Sequence, residues 1–460
     1  MQCKNVLFLI ADDQRFDTIR ALGNQEIHTP YLDKLVKMGT TFTNAHIPSG
    51  TSGAVCMPSR AMIHSGRTLF HIQGEGQNIP NEHSTLGETL KNAGYYSCGI
   101  GKWHNGIESY ARSFNDGDDI FFGGMWDHWH VPISHYDTTG KYDNKKKYTT
   151  NFQQKNVPIS IHCDEITIGV HSTDLFTQKA MEKLEHRPKD QPFFMCVSYL
   201  APHDPRTMPE AFQNMYQTKD ISLPKNFVKE YPFEIGIENI RAESIVAYPR
   251  DEEEIKQNIA DYYAMISHLD ASIGTLVDYL EAKGELEDTL IVFTGDNGLA
   301  VGQHGYMAKQ SHYEHSVRVP LVMAGASMPQ DKRIDSYVYL MDIYPTICEW
   351  MGIEIPESVE SKSLVPLIRD EVETIREHLY FAFEDLIRSV KYNGFKLIHY
   401  KNAPEHTQLF NVVEDPDEIH NLYNEETYSQ LIEKMTQIMN GYKDTWENTS
   451  HKFSAQFWGE

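Results

Sequence analysis

The sequence predicts a large layered α/β domain followed by a smaller C-terminal α+β subdomain, and three observations carry that expectation. Apolar runs of strand length recur along most of the chain, helical patterns separate them, and from about Leu379 the pattern changes to short, closely spaced strands. With 460 residues, 40% of them apolar, the chain is long enough to bury one large core and a satellite.

The buried-strand runs are residues 5–10, 95–100, 193–200, 290–294 and 320–323. Helical periodicity covers 31–38, 84–93 with Ser84 as its expected cap, and the long stretch 253–283. In the C-terminal part, strands are expected at 379–383, 388–392 and 395–400, with a closing helix over 425–442. This pattern divides the chain into a catalytic-size domain over residues 1–370 and a subdomain over 371–460. Residues 107–168 and 204–250 are polar, contain Gly and Pro, and read as two long surface insertions without a core element.

Charge and composition exclude some classes of function. The 65 acidic residues outnumber the 41 basic ones, for a net charge of -24, which argues against a nucleic-acid partner. An anionic ligand would need a local cluster of basic groups and metal. The longest apolar runs, 6–11 and 193–201, fall well short of the roughly 20 residues that a membrane helix needs. The first strand begins almost at residue 5 without a secretory signal before it, so a removed leader is the expectation. Cys3, Cys56, Cys98, Cys163, Cys196 and Cys348 lack metal-ligand spacing and read mostly as buried thiols.

Polar groups follow the predicted strands in a consistent way. Asp12 and Asp13 follow the first, Lys102 and His104 the second, His203 the third, and Asp296 and Asn297 the fourth. In an open α/β sheet, ligands bind outside the carboxyl ends of the strands, so these residues are expected to converge. Taken singly, Asp12-Asp13 is more often a cap or a solvated turn, Asp296-Asn297-Gly298 a tight turn, and each histidine or lysine a structural or solvated group. Together they offer three carboxylates and an amide oxygen, a hard-oxygen set suited to Ca²⁺ or Mg²⁺ rather than zinc. The string Cys56-Met57-Pro58-Ser59-Arg60, continuing to Gly66-Arg67, is the most specific segment. A helix starting at Pro58 would aim its amides and dipole at an anion near Cys56.

That string resembles the sulfatase signature C-x-P-S-R-x-x-x-x-x-G-R, whose cysteine is oxidised to formylglycine by a maturation enzyme. Asp12-Asp13, Gly101-Lys102-Trp103-His104, Pro202-His203, Asp296-Asn297-Gly298 and Lys309 match the family's other motifs in the same order. Leu409-Phe410-Asn411, Asp415-Pro416 and Asn421-Leu422 resemble its C-terminal signature, so the likeness runs nearly end to end. Asn297 stands where many members carry His, which keeps a metal ligand.

The resemblance implies the alkaline-phosphatase-like fold, a large mixed and mostly parallel sheet between helices. It also implies one Ca²⁺ held by Asp12, Asp13, Asp296, Asn297 and modified residue 56, and a sulfuric ester hydrolase that attacks sulfur through a formylglycine geminal diol. In that scheme Asp296 accepts the nucleophile's proton, while Arg60, Lys102 and Lys309 bind the sulfate. His203, assisted by Lys309, protonates the leaving alcohol, and His104 helps expel sulfate from the second hydroxyl. A formylglycine-dependent phosphodiester or phosphonate monoester hydrolase is the nearest rival. A polyanion-binding protein would result if Cys56 were never modified. Bacterial members imply a periplasmic or secreted protein acting on a sulfated carbohydrate, with glycosaminoglycans among the candidates. Specificity is expected from the first insertion, where Trp126, His128, Trp129 and His130 alternate aromatic and polar character. Arg206, His304 and His312 flank the motifs as further candidate substrate contacts.

Overall fold

The computed structural model describes residues 4–149, 158–447 and 451–459. Cys3 and residues 150–157 of the first insertion lie outside the described residues. The central strands are β1 (Asn5–Ala11), β2 (Gly39–Phe42), β3 (Tyr96–Lys102), β4 (Asp116–Phe121), β5 (Phe193–Ser198), β6 (Thr289–Gly295), β7 (Leu321–Ala324) and β8 (Lys332–Ile334). They form one sheet in the order β8-β2-β7-β6-β1-β5-β3-β4. Only β7 runs antiparallel, to both β6 and β2, and the other pairings are parallel.

The apolar runs are continuous because both faces of the sheet are covered. On β1, Val6, Phe8 and Ile10 enter one core while Leu7, Leu9 and Ala11 enter the other. Helices α1 (Pro30–Met38), α2 (Cys56–Ser65), α3 (Leu86–Asn92), α4 (Ile107–Ser113), α5 (Ser172–His186), α6 (Glu252–Ala282) and α7 (Ile343–Met351) supply the covering layers. Leu32 and Leu35 of α1, Phe176 of α5 and Leu269 of α6 close the second core. Ile63 of α2, Leu90 of α3 and Ile347 of α7 close the first.

The C-terminal strands β9 (His378–Phe383), β10 (Ile387–Tyr392), β11 (Phe395–Tyr400) and β12 (Gln408–Asn411) form an antiparallel meander under α8 (Ser429–Tyr442). A fifth strand comes from the main body, since Ser49 and Gly50 pair in parallel with Ala382 and Phe383. Leu379, Phe381, Val390 and Leu397 belong to the same core as Val6 and Phe8. The segment leading into Cys56 is therefore held between the two sheets.

Several expectations are corrected. The cap of α3 is Thr85, not Ser84. Its Oγ1 accepts from Glu88 N at 3.2 Å while Glu88 Oε2 accepts from Thr85 N at 3.3 Å, a reciprocal capping box. Helix α2 begins at Cys56 rather than Pro58, because Val55 is already helical and the first turn tolerates a proline without an N–H. The first insertion is not free of core elements, since it contains α4 and the edge strand β4. The sequence Asp116-Gly-Asp-Asp-Ile-Phe121 hid that strand because an edge pairs on one side only and can carry charges. The closing helix starts four residues late, at Ser429, after a short turn over Glu426–Tyr428. The second insertion, 204–250, contains only short helical turns. The five described cysteines are buried free thiols.

Candidate active site

The loops that follow β1, β3, β5 and β6 meet at the carboxyl end of the sheet, beside the first turn of α2. Close approach of β3 to β5 depends on Gly101, whose φ is +84° and whose absent Cβ would stand 2.1 Å from Ser198 O. Asp13 and His104, both non-glycine, have φ of 66° and 70°. Such conformations cluster at sites where surrounding contacts over-determine the backbone. For Asp13 those contacts include Tyr262 of α6, whose hydroxyl donates to Asp13 O at 2.6 Å and accepts from Arg15 N at 3.0 Å.

One ligand atom from each of Asp12, Cys56 and Asp296 lies within 4.8 Å of the others, and Asp12, Asp13 and His203 form an overlapping group. Every one of these groups is buried. Three basic side chains interleave with the carboxylates. Lys102 pairs with Asp12 Oδ2, Lys309 pairs with Asp13 Oδ1, and Arg60 Nε donates to Asp296 Oδ2 at 2.7 Å. Arg60 also reaches Lys102 O at 3.1 Å and Ser198 Oγ, while Ser59 Oγ donates to Asp296 O at 2.5 Å. The signature helix is thereby tied directly to the loops after β3, β5 and β6. Cys56 Sγ has Lys102 Nζ and His104 Nδ1 each at 3.6 Å.

Buried polar atoms ordinarily find partners, and three of the exceptions fall in this cluster. Asp12 Oδ1, Asn297 Oδ1 and Arg60 Nη2 are sealed and unpartnered. Asn297 Nδ2 is already engaged, donating to Asp13 Oδ1 at 2.7 Å and to Gly298 O at 2.8 Å. The free atoms are therefore two oxygens with affinity for a cation and one guanidinium nitrogen, with its two N–H bonds, with affinity for an anion. A donor set of carboxylate and amide oxygens fits a hard divalent cation.

Burial and the repulsion of Asp296 hold the Asp12 carboxyl above its ordinary range. Burial acts the same way on Asp13 and Asp296, but Lys309 with His203 and Arg60 with Lys102 outweigh it, so both are held low. His104 is kept neutral by burial and then by Lys102 and Arg60. Burial pushes the Cys56 thiol up against the pull of Lys102. His203 Nδ1 donates to Asp204 O at 2.8 Å, which leaves Nε2 facing Asp13 Oδ2 at 3.6 Å.

A sequence model of the sulfatase family matches residues 4–353. The chain belongs to the sulfatase family. A second model, for the C-terminal part of N-sulphoglucosamine sulphohydrolase, matches residues 302–445 of this sulfatase. It is 24% identical to the N-acetylglucosamine-6-O-sulfatase of Bacteroides thetaiotaomicron, over 96% of this chain and 87% of that one. A solved structure described as a complex with its substrate D-glucosamine-2-N,6-O-disulfate superposes with a TM-score of 0.76 at 21% identity, covering 98% of this chain and 99% of the other. The phosphonate monoester hydrolase of Agrobacterium radiobacter shares the fold at a TM-score of 0.74 and 18% identity, over 96% of each chain. The protein is a sulfuric ester hydrolase of the alkaline-phosphatase-like superfamily.

The candidate substrate contacts are scattered in this sulfatase. His128 is buried, with Nε2 donating to His203 O at 2.9 Å and Nδ1 bonded to Ser172 Oγ at 2.7 Å, so it supports the backbone of His203 instead of lining an opening. Trp126 packs on the core and on Tyr148, and Trp129 meets the edge of His171. His130 is half-buried and pairs with Asp127 at 3.0 Å. His304 stacks on Tyr313, and His312 bonds to Ser389 Oγ at 2.8 Å, both turned toward the C-terminal sheet. Arg206 differs from these: Nη1 donates to Asn258 Oδ1 at 2.5 Å, but Nε and Nη2 have no partner. A cavity of about 970 Å³ opens against Met57 and His104 and is lined by Gln77, Asn78, Glu82 and Glu108. Gly123 of the predicted specificity segment lies on its wall, and Gly124 crosses His104 where a Cβ would come within 2.7 Å of Nε2.

Sequence reasoning missed Ser198, Asn105 and Tyr262. Asn105 Nδ2 donates to Met57 O at 2.9 Å and Gly76 O at 2.6 Å, which anchors the first turn of α2. Its place beside His104 and that of Ser198 at a strand end were available signals, whereas Tyr262 lies in a remote helix and carries none.

Proposed function

We propose that this sulfatase removes sulfate from a sulfated carbohydrate through a formylglycine made from Cys56, with one Ca²⁺ held by Asp12, Asp13, Asp296, Asn297 and the oxygen of modified residue 56. The observation that carries the reading is the pair of sealed, unpartnered oxygens on Asp12 and Asn297, next to the unpartnered Nη2 of Arg60. Once oxidised to an aldehyde and hydrated to a geminal diol, residue 56 supplies the attacking hydroxyl, and a bound cation would lower that hydroxyl's proton affinity and offset charge on the ester.

The chain's own residues do the rest. Arg60, Lys102 and Lys309 bind the sulfate oxygens and neutralise charge as the ester bond breaks. Asp296 accepts the proton of the attacking oxygen. His104, held neutral and 3.6 Å from Sγ, takes a proton at residue 56 when sulfate leaves. His203, with Lys309 beside the shared Asp13, protonates the departing alcohol. His128 positions His203 through its carbonyl.

A carbohydrate substrate is supported by the names of the relatives and by the cavity against His104, whose amide and carboxylate lining can bond sugar hydroxyls. Arg206, with two free donors, supports contact with a second anionic group, such as another sulfate or a uronate. A glycosaminoglycan fragment has that chemistry. A formylglycine-generating enzyme as maturation partner and a periplasmic or secreted location belong to the same proposal. Among the described residues no helix is long and apolar enough to cross a membrane.

The test is an activity panel of defined sulfated mono- and disaccharides, an aryl sulfate and an aryl phosphodiester, combined with peptide mass spectrometry at position 56. Activity on a sulfated sugar, abolished by chelation and restored by Ca²⁺, together with an aldehyde at residue 56, is the expected outcome. Faster turnover of the phosphodiester would move the assignment to the phosphonate hydrolase side of the superfamily. Unmodified thiol in active native enzyme would overturn the mechanism, and unmodified thiol in inactive native protein would favour a polyanion-binding role.

A further inference from the structure

A second group of ligand-type side chains lies at the root of the first insertion, on the edge strand β4. The register between β3 and β4 passes from Ile100↔Asp118 to Gly101↔Ile120, so Asp119 is the extra residue of a β-bulge. Bulges of this kind re-aim a side chain. Here the re-aimed carboxylate is 3% exposed, enters no ion pair among the described residues, and has Oδ2 sealed without a hydrogen-bond partner. A buried carboxylate oxygen with no donor and no contacting counter-ion is costly, and the more distant charges of Lys179 and His135 offset burial only in part.

The neighbours of Asp119 are suited to hold a compensating charge. One ligand atom from each of Asp118, Asp119 and His135 lies within 4.8 Å of the others. His135 Nδ1 is 2.8 Å from Asp118 Oδ1, and its Nε2 is 3.9 Å from Glu165 Oε1. The nearby lysines make their closest pairs outside the group: Lys183 Nζ is 2.7 Å from Asp116 and Lys179 Nζ is 3.0 Å from Glu182, while both stay 3.5 Å or more from Asp118 Oδ2. Two carboxylates with an imidazole form a nitrogen- and oxygen-donor set, which favours a first-row transition ion over the Ca²⁺ that an all-oxygen set takes.

We propose that Asp118, Asp119 and His135, with Glu165 in reach as a fourth ligand, bind a transition-metal dication of the Zn²⁺ type at a site separate from the catalytic cluster. Asp118 and Asp119 enter the insertion and Glu165 leaves it, pairing with Ile133. An ion there clamps both ends of the segment that carries Gly123 and Gly124 past His104.

The probe is Zn²⁺ itself, titrated by calorimetry into full-length protein that has been stripped with chelator and then given excess Ca²⁺. One equivalent of Zn²⁺ is expected to bind to the wild type and equally to Asp12→Asn, whose catalytic set is crippled. Asp119→Asn and His135→Gln should each weaken binding by at least about tenfold. His135 is solvent-facing, so its variant checks the result if Asp119→Asn folds poorly. Zinc binding that survives in both variants, that disappears in Asp12→Asn, or that is absent from the wild type overturns the proposal.

Discussion

Arg60 shows how much one residue is asked to do. Its guanidinium joins Asp296, Lys102 O and Ser198 Oγ while keeping Nη2 free, so charge alone does not define its role. Arg60→Lys retains the positive charge but cannot reproduce a planar fork with several fixed donors. We expect kcat on the best sulfate ester to fall by roughly 100- to 1000-fold, the scale seen when an oxyanion donor is removed. The melting temperature should also drop, because Asp296 would remain buried with a poorer partner. A variant that keeps wild-type kcat would exclude Arg60 from sulfate binding.

At the scale of elements, the close crossing of β3 and β5 and the capping of α3 make opposite predictions about activity. Gly101→Ala would place a methyl group 2.1 Å from Ser198 O at a φ of +84°. The expected cost is at least about 2 kcal/mol, with a loss of activity because Lys102 and His104 follow directly. Thr85→Ala removes the capping box of α3. It should lower stability by about 1 kcal/mol in denaturant titrations while leaving kcat/KM unchanged. Equal effects of both on activity would show that the site does not depend on the β3–β5 approach.

At the scale of the molecule, neutral buried histidines set the response to acid. Burial pushes His64 down to about 3, assisted by Arg60, and pushes His46 and His171 down to about 3 as well. In the unfolded chain each titrates near the ordinary 6.5. Above that value neither state binds the proton, and the full stability is present. As pH falls from 6.5 toward 3 the unfolded chain takes up protons that the folded chain refuses, so stability falls. Melting temperature should decline steadily from pH 7 to pH 4.5. His64→Phe should remove about one proton from the slope, roughly 1.4 kcal/mol per pH unit. An unchanged slope would mean that His64 protonates within the fold. The shared core carries a further expectation. We propose that residues 371–460 are a topological subdomain that cannot stand apart, because their sheet borrows Ser49–Gly50 and buries its face against the main core. A chain ending at residue 370 should be insoluble or lack cooperative unfolding by calorimetry, and an independently folded product would refute this.

The sequence by itself determined the strands buried on both faces, the long helix α6, the C-terminal meander and the residues that converge after β1, β3, β5 and β6. Those features are local: a strand covered twice must be apolar at every position, and a parallel sheet brings its carboxyl-end loops together. Only the tertiary structure decided which candidates share the site. His128 and His130 are two residues apart, yet one is buried beneath His203 and the other pairs with Asp127 at the surface. The edge strand β4, the cavity wall at Gln77 and Asn78, and the support from Tyr262 were likewise beyond the sequence. Their positions depend on contacts between segments far apart in the chain, and the pattern of a single segment carries no information about the surface it will meet.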